Sequence, residues 1–337
     1  MSGRDAEIAA FLARTDWAEA RRTPLAGDAS FRRYERLGLG DRRAVLMDAP
    51  PGREDVRPFV AIDRHLQGLG YSVPTILAAD EARGLLLLED LGDDTFGRLL
   101  GQGAAAEPLY ALAVDLLIDL HGRPERQAVP HRLRLYDGET MVREAQLFTE
   151  WYLPGVTGRP TPKDVETAFT EAWRAMVPLL DRQPRTLMMR DFFADNLMRV
   201  AGRDGLRACG LLDFQDAVAG PPAYDLVSLL EDARRDFPPA LIAAMLARYR
   251  RGTAGLDPEK FEAAYALMGA QRHVRVLGVF TRLWRRDGKP GYLAHIPRLW
   301  RLLENALTHP ALAPVAAWFA REVPAGLRVV PSAETTR

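Results

Sequence analysis

The hydrophobic period of the chain changes near residue 91, and that change constrains the fold more than any other feature. Ahead of it lie short apolar runs that fit strands: Thr23–Tyr34 with a glycine turn inside it, Arg43–Met47, Thr75–Asp80 and Gly84–Asp90. Two stretches there carry helical spacing instead. Ile8, Phe11, Leu12 and Trp17 share a face over 5–20, and Val56, Phe59, Val60, Ile62, Leu66 and Leu69 do so over 54–69, with Gly70 as its cap. After residue 91, apolar residues recur at helical spacing over 107–121, 137–152, 163–181, 223–234, 238–250, 258–284 and 295–307. The exception is 186–213, which reads as two or three short strands. The expected fold class is α+β and bilobal, with a small antiparallel β-sheet N-lobe over 1–90 and a larger, mainly helical C-lobe over 91–325. Residues 326–337 have no periodicity and are expected to fray.

Composition enters as a set of exclusions. Forty-five basic and 45 acidic residues cancel, so no global field draws the chain to nucleic acid or to a membrane surface. No apolar run reaches the length of a bilayer span, and the mixed charges of the first residues do not resemble a signal peptide. A single cysteine, Cys209, excludes an internal disulfide framework and fits a reducing, cytoplasmic compartment. It sits in Leu206–Leu212 and reads as a small buried hydrophobe. A monomer is expected.

The 186–213 exception holds the residues that carry chemistry. Met189-Arg-Asp-Phe-Phe-Ala-Asp-Asn196 is followed by an apolar strand ending in Asp213-Phe-Gln. Phosphoryl transfer from ATP needs a carboxylate facing the acceptor hydroxyl and oxygen ligands for the metal on the phosphates. Asp191 fits the first role; Asn196 and Asp213 fit the second, because Mg²⁺ takes hard oxygen ligands. A β-rich part followed by a helical part that contains such a motif is the order of a bilobal kinase, with nucleotide in the cleft between the lobes.

These residues carry a resemblance. Arg190-Asp191…Asn196 and Asp213-Phe214 resemble the catalytic and metal motifs of the aminoglycoside phosphotransferase family, a protein-kinase-like group acting on small molecules. Several segments are similar to one branch, the cytosolic anomeric sugar kinases of N-acetylmuramate and N-acetylglucosamine. They include Gly27–Tyr34, Leu46–Pro51, Leu87–Asp93, Asp213–Ala217, Gly220–Leu229 and Gln271–Gly278. The resemblance spans about residues 23–310. It implies a protein-kinase-like fold, with ATP and Mg²⁺ as cofactors. It implies that Asp191, with Arg190 beside it, orients the acceptor and takes its proton, and that Asn196 and Asp213 hold the metal. Glu89 to Leu91 match the linker whose backbone meets adenine, although Glu89 alone reads as a solvated turn acid. Gly27 to Ser30 match the loop over the phosphates, although one glycine in a turn equally suits a hairpin. Asp225 matches a bracing position; helix capping also explains it.

Two positions depart from the pattern. Met47 stands where a strand lysine usually meets the phosphates, and Met189 where a bracing histidine is usual. Arg32 and Arg33 are the nearest replacement cations. Strand alternation points only one of them inward, and the choice stays open; both also read as solvated strand arginines. These departures admit a second class of function, a nucleotide-binding pseudokinase scaffold. Retention of Asp191, Asn196 and Asp213 speaks against it.

Acceptor choice falls to the helical part. A polycationic aminoglycoside asks for many acids, whereas these helices are mixed. Asp137 and Glu144 stand beside aromatics including Trp151, and Arg272 and Arg275 offer a clamp for the carboxylate of N-acetylmuramate. Surface helix charges and a core tryptophan are the plain alternatives. Asp216 either touches substrate or satisfies a turn, and His121 and His273 read as structural. The expected reaction moves the γ-phosphate of ATP to the anomeric hydroxyl of N-acetylmuramate or N-acetylglucosamine, in salvage of cell-wall sugars. A same-fold kinase of an aminoglycoside, a choline-like alcohol or another sugar is the runner-up.

Overall fold

The computed structural model describes residues 3–25 and 31–332. Nine strands occur among them: Arg21–Pro24 (β1), Arg33–Leu39 (β2), Arg42–Asp48 (β3), Ile76–Asp80 (β4), Leu85–Glu89 (β5), Thr186–Met188 (β6), Leu197–Arg199 (β7), Cys209–Leu211 (β8) and Val218–Gly220 (β9). The chain forms two compact units, Met1–Leu116 with Ala194–Ala217, and Leu117–Phe193 with Val218–Arg337.

The first unit is built on a five-stranded antiparallel sheet in the order β1-β2-β3-β5-β4. Alternation along β3 sorts its side chains. Ala44 and Leu46 face a core with Leu37, Leu85 and Leu87, closed by Ile8, Phe11, Leu12 and Trp17 of the N-terminal segment. Strand β5 runs between β3 and β4 and is buried at Leu85 through Leu88, which is why its sequence is apolar throughout. The first helix stops at Leu12, short of the apolar spacing that continues to Trp17. The Thr15 hydroxyl donates to the Leu12 carbonyl and accepts from the Trp17 amide, a local turn that replaces the next helical bonds. The helix Arg57–Gly68 ends as expected at Gly70, whose φ of 91° lets the Tyr71 amide return to the Leu66 carbonyl. Residues 91–116 and the β7–β8 hairpin belong to this unit. Thr95 bridges to Met198, and Ser72 bridges to Gly210 and bonds the Arg207 carbonyl.

The second unit packs helices around the 30-residue helix Pro258–Asp287, with the short β6–β9 ribbon at their side. The expected helix 137–152 becomes Gly138–Ala145 followed by a wide turn at Phe148–Tyr152. That turn brings Phe148 and Tyr152 into stacking at 5.0 Å inside an aromatic core with Trp300, Trp318 and Phe319. Beside it, a Cβ on Gly278 would lie 2.3 Å from the Leu147 carbonyl oxygen, so only glycine fits there. The expected helix 163–181 divides into Lys163–Arg174 and Val177–Asp181, because Pro178 has no amide for a continuous ladder. Residues 326–332, expected to fray, are tied down: the Tyr152 hydroxyl meets the Leu327 and Val329 carbonyls, and Arg328 pairs with Glu304. Residues 333–337 lie outside the described residues.

Candidate active site

The metal-ligand candidates are assembled by one hairpin. Leu197 pairs with Leu211 across β7 and β8, and the Leu212 amide bonds the Asn196 carbonyl. Asn196, just before β7, therefore stands opposite Asp213, just after β8. The Asn196 Nδ2 lies 3.4 Å from Asp213 Oδ2, while Asp213 Oδ1 accepts from Gln215 at 2.7 Å. Asp213 has a φ of 57°, a left-handed backbone that non-glycine residues adopt at an energetic cost. A carboxylate facing a side-chain amide is a hard-oxygen donor pair, too small to enclose a cation by itself and suited to Mg²⁺ that brings phosphate and water ligands. The residues fit that ion. No larger cluster of acidic, histidine or cysteine ligands occurs among the described residues.

Beside this pair lies a cavity of about 300 Å³ with apolar walls that include Val45, Met47, Leu88, Met198 and Leu212. Met47 is fully buried in that wall. Leu91 borders the cavity, and its amide has no partner among the described residues. The Glu89 amide is taken by the Thr75 carbonyl at 2.8 Å. The Glu89 side chain is not a free turn acid; it bonds the Thr75 hydroxyl at 2.7 Å and pairs with Arg203. Arg36 fixes the segment that follows β5, expected from the resemblance to be the linker but lying within the first unit, by pairing with Asp90 and Asp93.

Arg32 and Arg33 diverge. Arg33 lies across from Asp48 in the β2–β3 ladder and pairs with it at 2.5 Å; Arg4 holds the other oxygen of that carboxylate. Arg32 is nearly buried, 3.2 Å from Glu54 and 3.9 Å from Asp213. It also borders a second cavity of about 710 Å³, together with Gln215 and the exposed Asp216. Gly27 and Ser30 lie outside the described residues.

In the second unit, Asp191 follows β6 by three residues on a tightly held loop. Arg190 has a φ of 71° and is buried. Asp225, fully buried in the first turn of the helix Ala223–Leu230, accepts the Met189 and Arg190 amides at 2.6 and 2.8 Å. It therefore braces the loop, while the helix cap position is Pro222. The Arg190 guanidinium pairs with Glu144 at 2.5 Å, and Arg275 meets the other Glu144 oxygen at 3.4 Å. Arg272, expected at an acceptor carboxylate, is buried instead with its head on the Arg190 carbonyl at 3.0 Å. Asp137 caps the helix Gly138–Ala145, accepting the Thr140 amide at 2.8 Å.

A family model described as the phosphotransferase enzyme family matches residues 21–261. The chain belongs to that family. Among curated relatives of the phosphotransferase, an N-acetylmuramate/N-acetylglucosamine kinase of Caulobacter vibrioides is 38% identical over 97% of this chain and 99% of its own. One from Pseudomonas aeruginosa is 42% identical over 88% of each. In fold, the phosphotransferase is similar to choline kinase LicA of Streptococcus pneumoniae, with a TM-score of 0.64 at 13% identity over 91% of this chain and 100% of that one. The protein-kinase-like α+β fold is thus established, and the family implies ATP as co-substrate.

Two residues of the phosphotransferase, Glu54 and Ser228, were not singled out by the sequence. Glu54, the partner of Arg32, lies in a proline- and glycine-bordered stretch without any periodic signal. Ser228 had one. Asp225 and Ser228 are polar positions three apart in an otherwise apolar helix, a spacing that puts both on one face. The remaining candidates are structural. His121 bonds the Tyr249 hydroxyl at 2.7 Å, and burial pushes its pKa down to about 3. His273 pairs with Glu231 at 2.6 Å. Burial pushes the Cys209 thiol up to about 12, which removes it as a nucleophile.

Proposed function

We propose that the protein is an ATP-dependent sugar kinase that transfers the γ-phosphate to the anomeric hydroxyl of N-acetylmuramate or N-acetylglucosamine. The observation that carries this reading is the similarity to kinases of that name over nearly the whole of both chains. Adenine occupies the apolar cavity beside Met47, with its edge at the Leu91 amide. Asn196 and Asp213 would hold Mg²⁺, which when bound would supply positive charge to the phosphates. Arg32 supplies the fixed cation that a strand lysine supplies elsewhere; its place beside Asp213, with Glu54 holding it, supports this over Arg33. The Gly27–Ser30 segment is proposed to cover the phosphates.

Asp191 accepts the proton of the anomeric hydroxyl as its oxygen bonds to phosphorus and the bond to the ADP oxygen breaks. The ring oxygen makes that hydroxyl more acidic than an ordinary alcohol, so a carboxylate suffices as base. Glu144 and Arg275 are proposed to face the sugar, the arginine contributing to recognition of the lactyl carboxylate of N-acetylmuramate. Asp216 stands at the open cavity beside the phosphate end. No helix among the described residues is long and apolar enough to cross a membrane. We place the reaction in the cytoplasm, where ATP is made, as a step that returns cell-wall amino sugars to nucleotide-sugar synthesis. An ADP-release assay over N-acetylglucosamine, N-acetylmuramate, an aminoglycoside and choline tests the reading. Turnover with the first two supports it, and turnover confined to the last two overturns it.

A further inference from the structure

Arg190, with a φ of 71°, occupies a backbone region that is unfavourable for a non-glycine residue and persists only where its surroundings over-determine it. The two amides leading into the residue are held by Asp225. Its carbonyl is held from elsewhere. Ser228 Oγ donates to it at 3.2 Å and Arg272 Nη1 at 3.0 Å. The peptide on each side of the left-handed residue is therefore fixed, and the next residue is Asp191.

Arg272 is costly in this place. Its side chain is almost entirely buried, and its direct partners are neutral: a carbonyl and, at 3.4 Å, the Tyr224 hydroxyl. Desolvating a guanidinium is unfavourable, and an unbranched apolar side chain such as methionine would avoid that cost. Its charge acts on Asp225, whose carboxyl burial pushes up to about 7 while the two amides and Arg272 favour the ionised form. Asp191 on the loop and Tyr249 of the helix Pro239–Gly252 are the other titratable groups acting on Asp225. Arg275, one turn along the same helix, pairs with the Glu144 that holds the Arg190 side chain. One helix thus grips Arg190 at its main chain and, through Glu144, at its side chain.

We propose that Arg272 is a positioning residue for the reaction: its guanidinium holds the Arg190 carbonyl, locks the left-handed turn and thereby aims the Asp191 carboxylate. It touches neither nucleotide nor acceptor. The proposal rests on the kinase reading, in which Asp191 is the base and turnover is the readout.

The test compares wild type with R272M, R272K and S228A for kcat, KM for ATP, melting temperature and the pH dependence of kcat. Misaiming a catalytic group by about 1 Å lowers kcat by about a hundredfold, and R272M is expected to do so with KM for ATP unchanged within about twofold. Removing the cation also raises the Asp225 pKa, so the acid limb of kcat moves to higher pH in R272M. R272K keeps a charged donor; it is expected to recover about tenfold of the lost rate and to leave the limb in place. S228A removes the weaker donor, with a smaller loss of kcat and an unchanged KM for ATP. Wild-type kcat in R272M overturns the proposal. So does a loss in R272M that lysine does not recover and that leaves the acid limb unmoved, since packing alone would behave that way. If R272M does not fold, R272K and S228A decide: reduced kcat at unchanged KM for ATP in both supports the clamp, and any other result overturns it. Wild-type turnover on N-acetylglucosamine tests the functional reading separately. If that acceptor fails, the variant ratios are read on the slow hydrolysis of ATP by water.

Discussion

Arg32 and Arg33 are adjacent in the chain and meet different carboxylates, and on the proposed reading that divergence assigns the phosphate contact to Arg32. Arg33 is exposed and pairs with the buried Asp48, which Arg4 also holds; Arg32 sits between Glu54 and Asp213. R32M is therefore expected to lower kcat/KM for ATP by about a hundredfold, the loss of roughly 3 kcal/mol from a charge-assisted phosphate contact. R33M should stay within about threefold of wild type in kcat/KM for ATP, because Arg33 is exposed, faces Asp48 and leaves Arg4 on that carboxylate; similar losses in both variants would contradict the assignment. The three central residues divide in the same way. D191N should lower turnover by about a thousandfold while nucleotide binding measured by calorimetry is retained. D213A should weaken Mg·ATP binding itself, and unchanged affinity would remove Asp213 as a ligand. That Asn196 and Asp213 come together was legible in the sequence because they flank two short apolar strands in a specific order; the roles of these two and of Asp191 stay proposals. Arg32 was legible only as one of a pair, since β2 begins after it and alternation gives no phase for a residue outside the strand.

At the scale of elements, period and punctuation carried most of the information. The long helix, strands β3 to β5 and the Gly70 cap are written in local sequence, whereas β2 runs on to Leu39, past the Thr23–Tyr34 stretch expected to hold the first two strands. What local sequence does not contain is where a helix is interrupted by its neighbours. The wide turn at Phe148–Tyr152 answers to Gly278, more than 120 residues away. G278A should therefore destabilise the fold by about 1–3 kcal/mol in denaturant unfolding, the range for forcing one extra carbon into a packed interface. Wild-type stability would show that the two backbones separate freely. The helix Arg57–Gly68 makes a different prediction. Asp63 on that helix is fully buried and neither oxygen has a partner among the described residues; burial pushes its pKa up to about 7. The folded form binds the proton more tightly than the unfolded one, so this group lowers stability progressively as pH rises from about 4 to about 7. D63N should stabilise the protein by on the order of 1–2 kcal/mol at pH 8 and by little at pH 4. A variant that is equally destabilised at both would mean that the carboxylate is held by solvent or structure in a way an amide cannot reproduce.

At the scale of the whole molecule, the chain passes between its two units at residues 116–117, 193–194 and 217–218. The second passage falls between Asp191 and Asn196, so the proposed base belongs to the helical unit and both proposed metal ligands to the sheet unit. The order of a β-rich and a helical part was legible from periodicity. The assignment of 194–217 was not, because it depends on bridges such as Ser72 to Gly210 that join residues far apart in the chain. Fold alone leaves the acceptor open, since the same architecture serves a choline kinase; the acceptor rests on the long similarity to amino-sugar kinases. The most direct test is therefore the product itself. The protein is incubated with ATP, Mg²⁺ and either N-acetylglucosamine or N-acetylmuramate, and the product is followed by phosphorus NMR before and after mild acid. The expected result is a phosphorus resonance coupled to the anomeric proton that mild acid converts to inorganic phosphate. An acid-stable phosphate on another hydroxyl, or transfer to neither sugar, would contradict it.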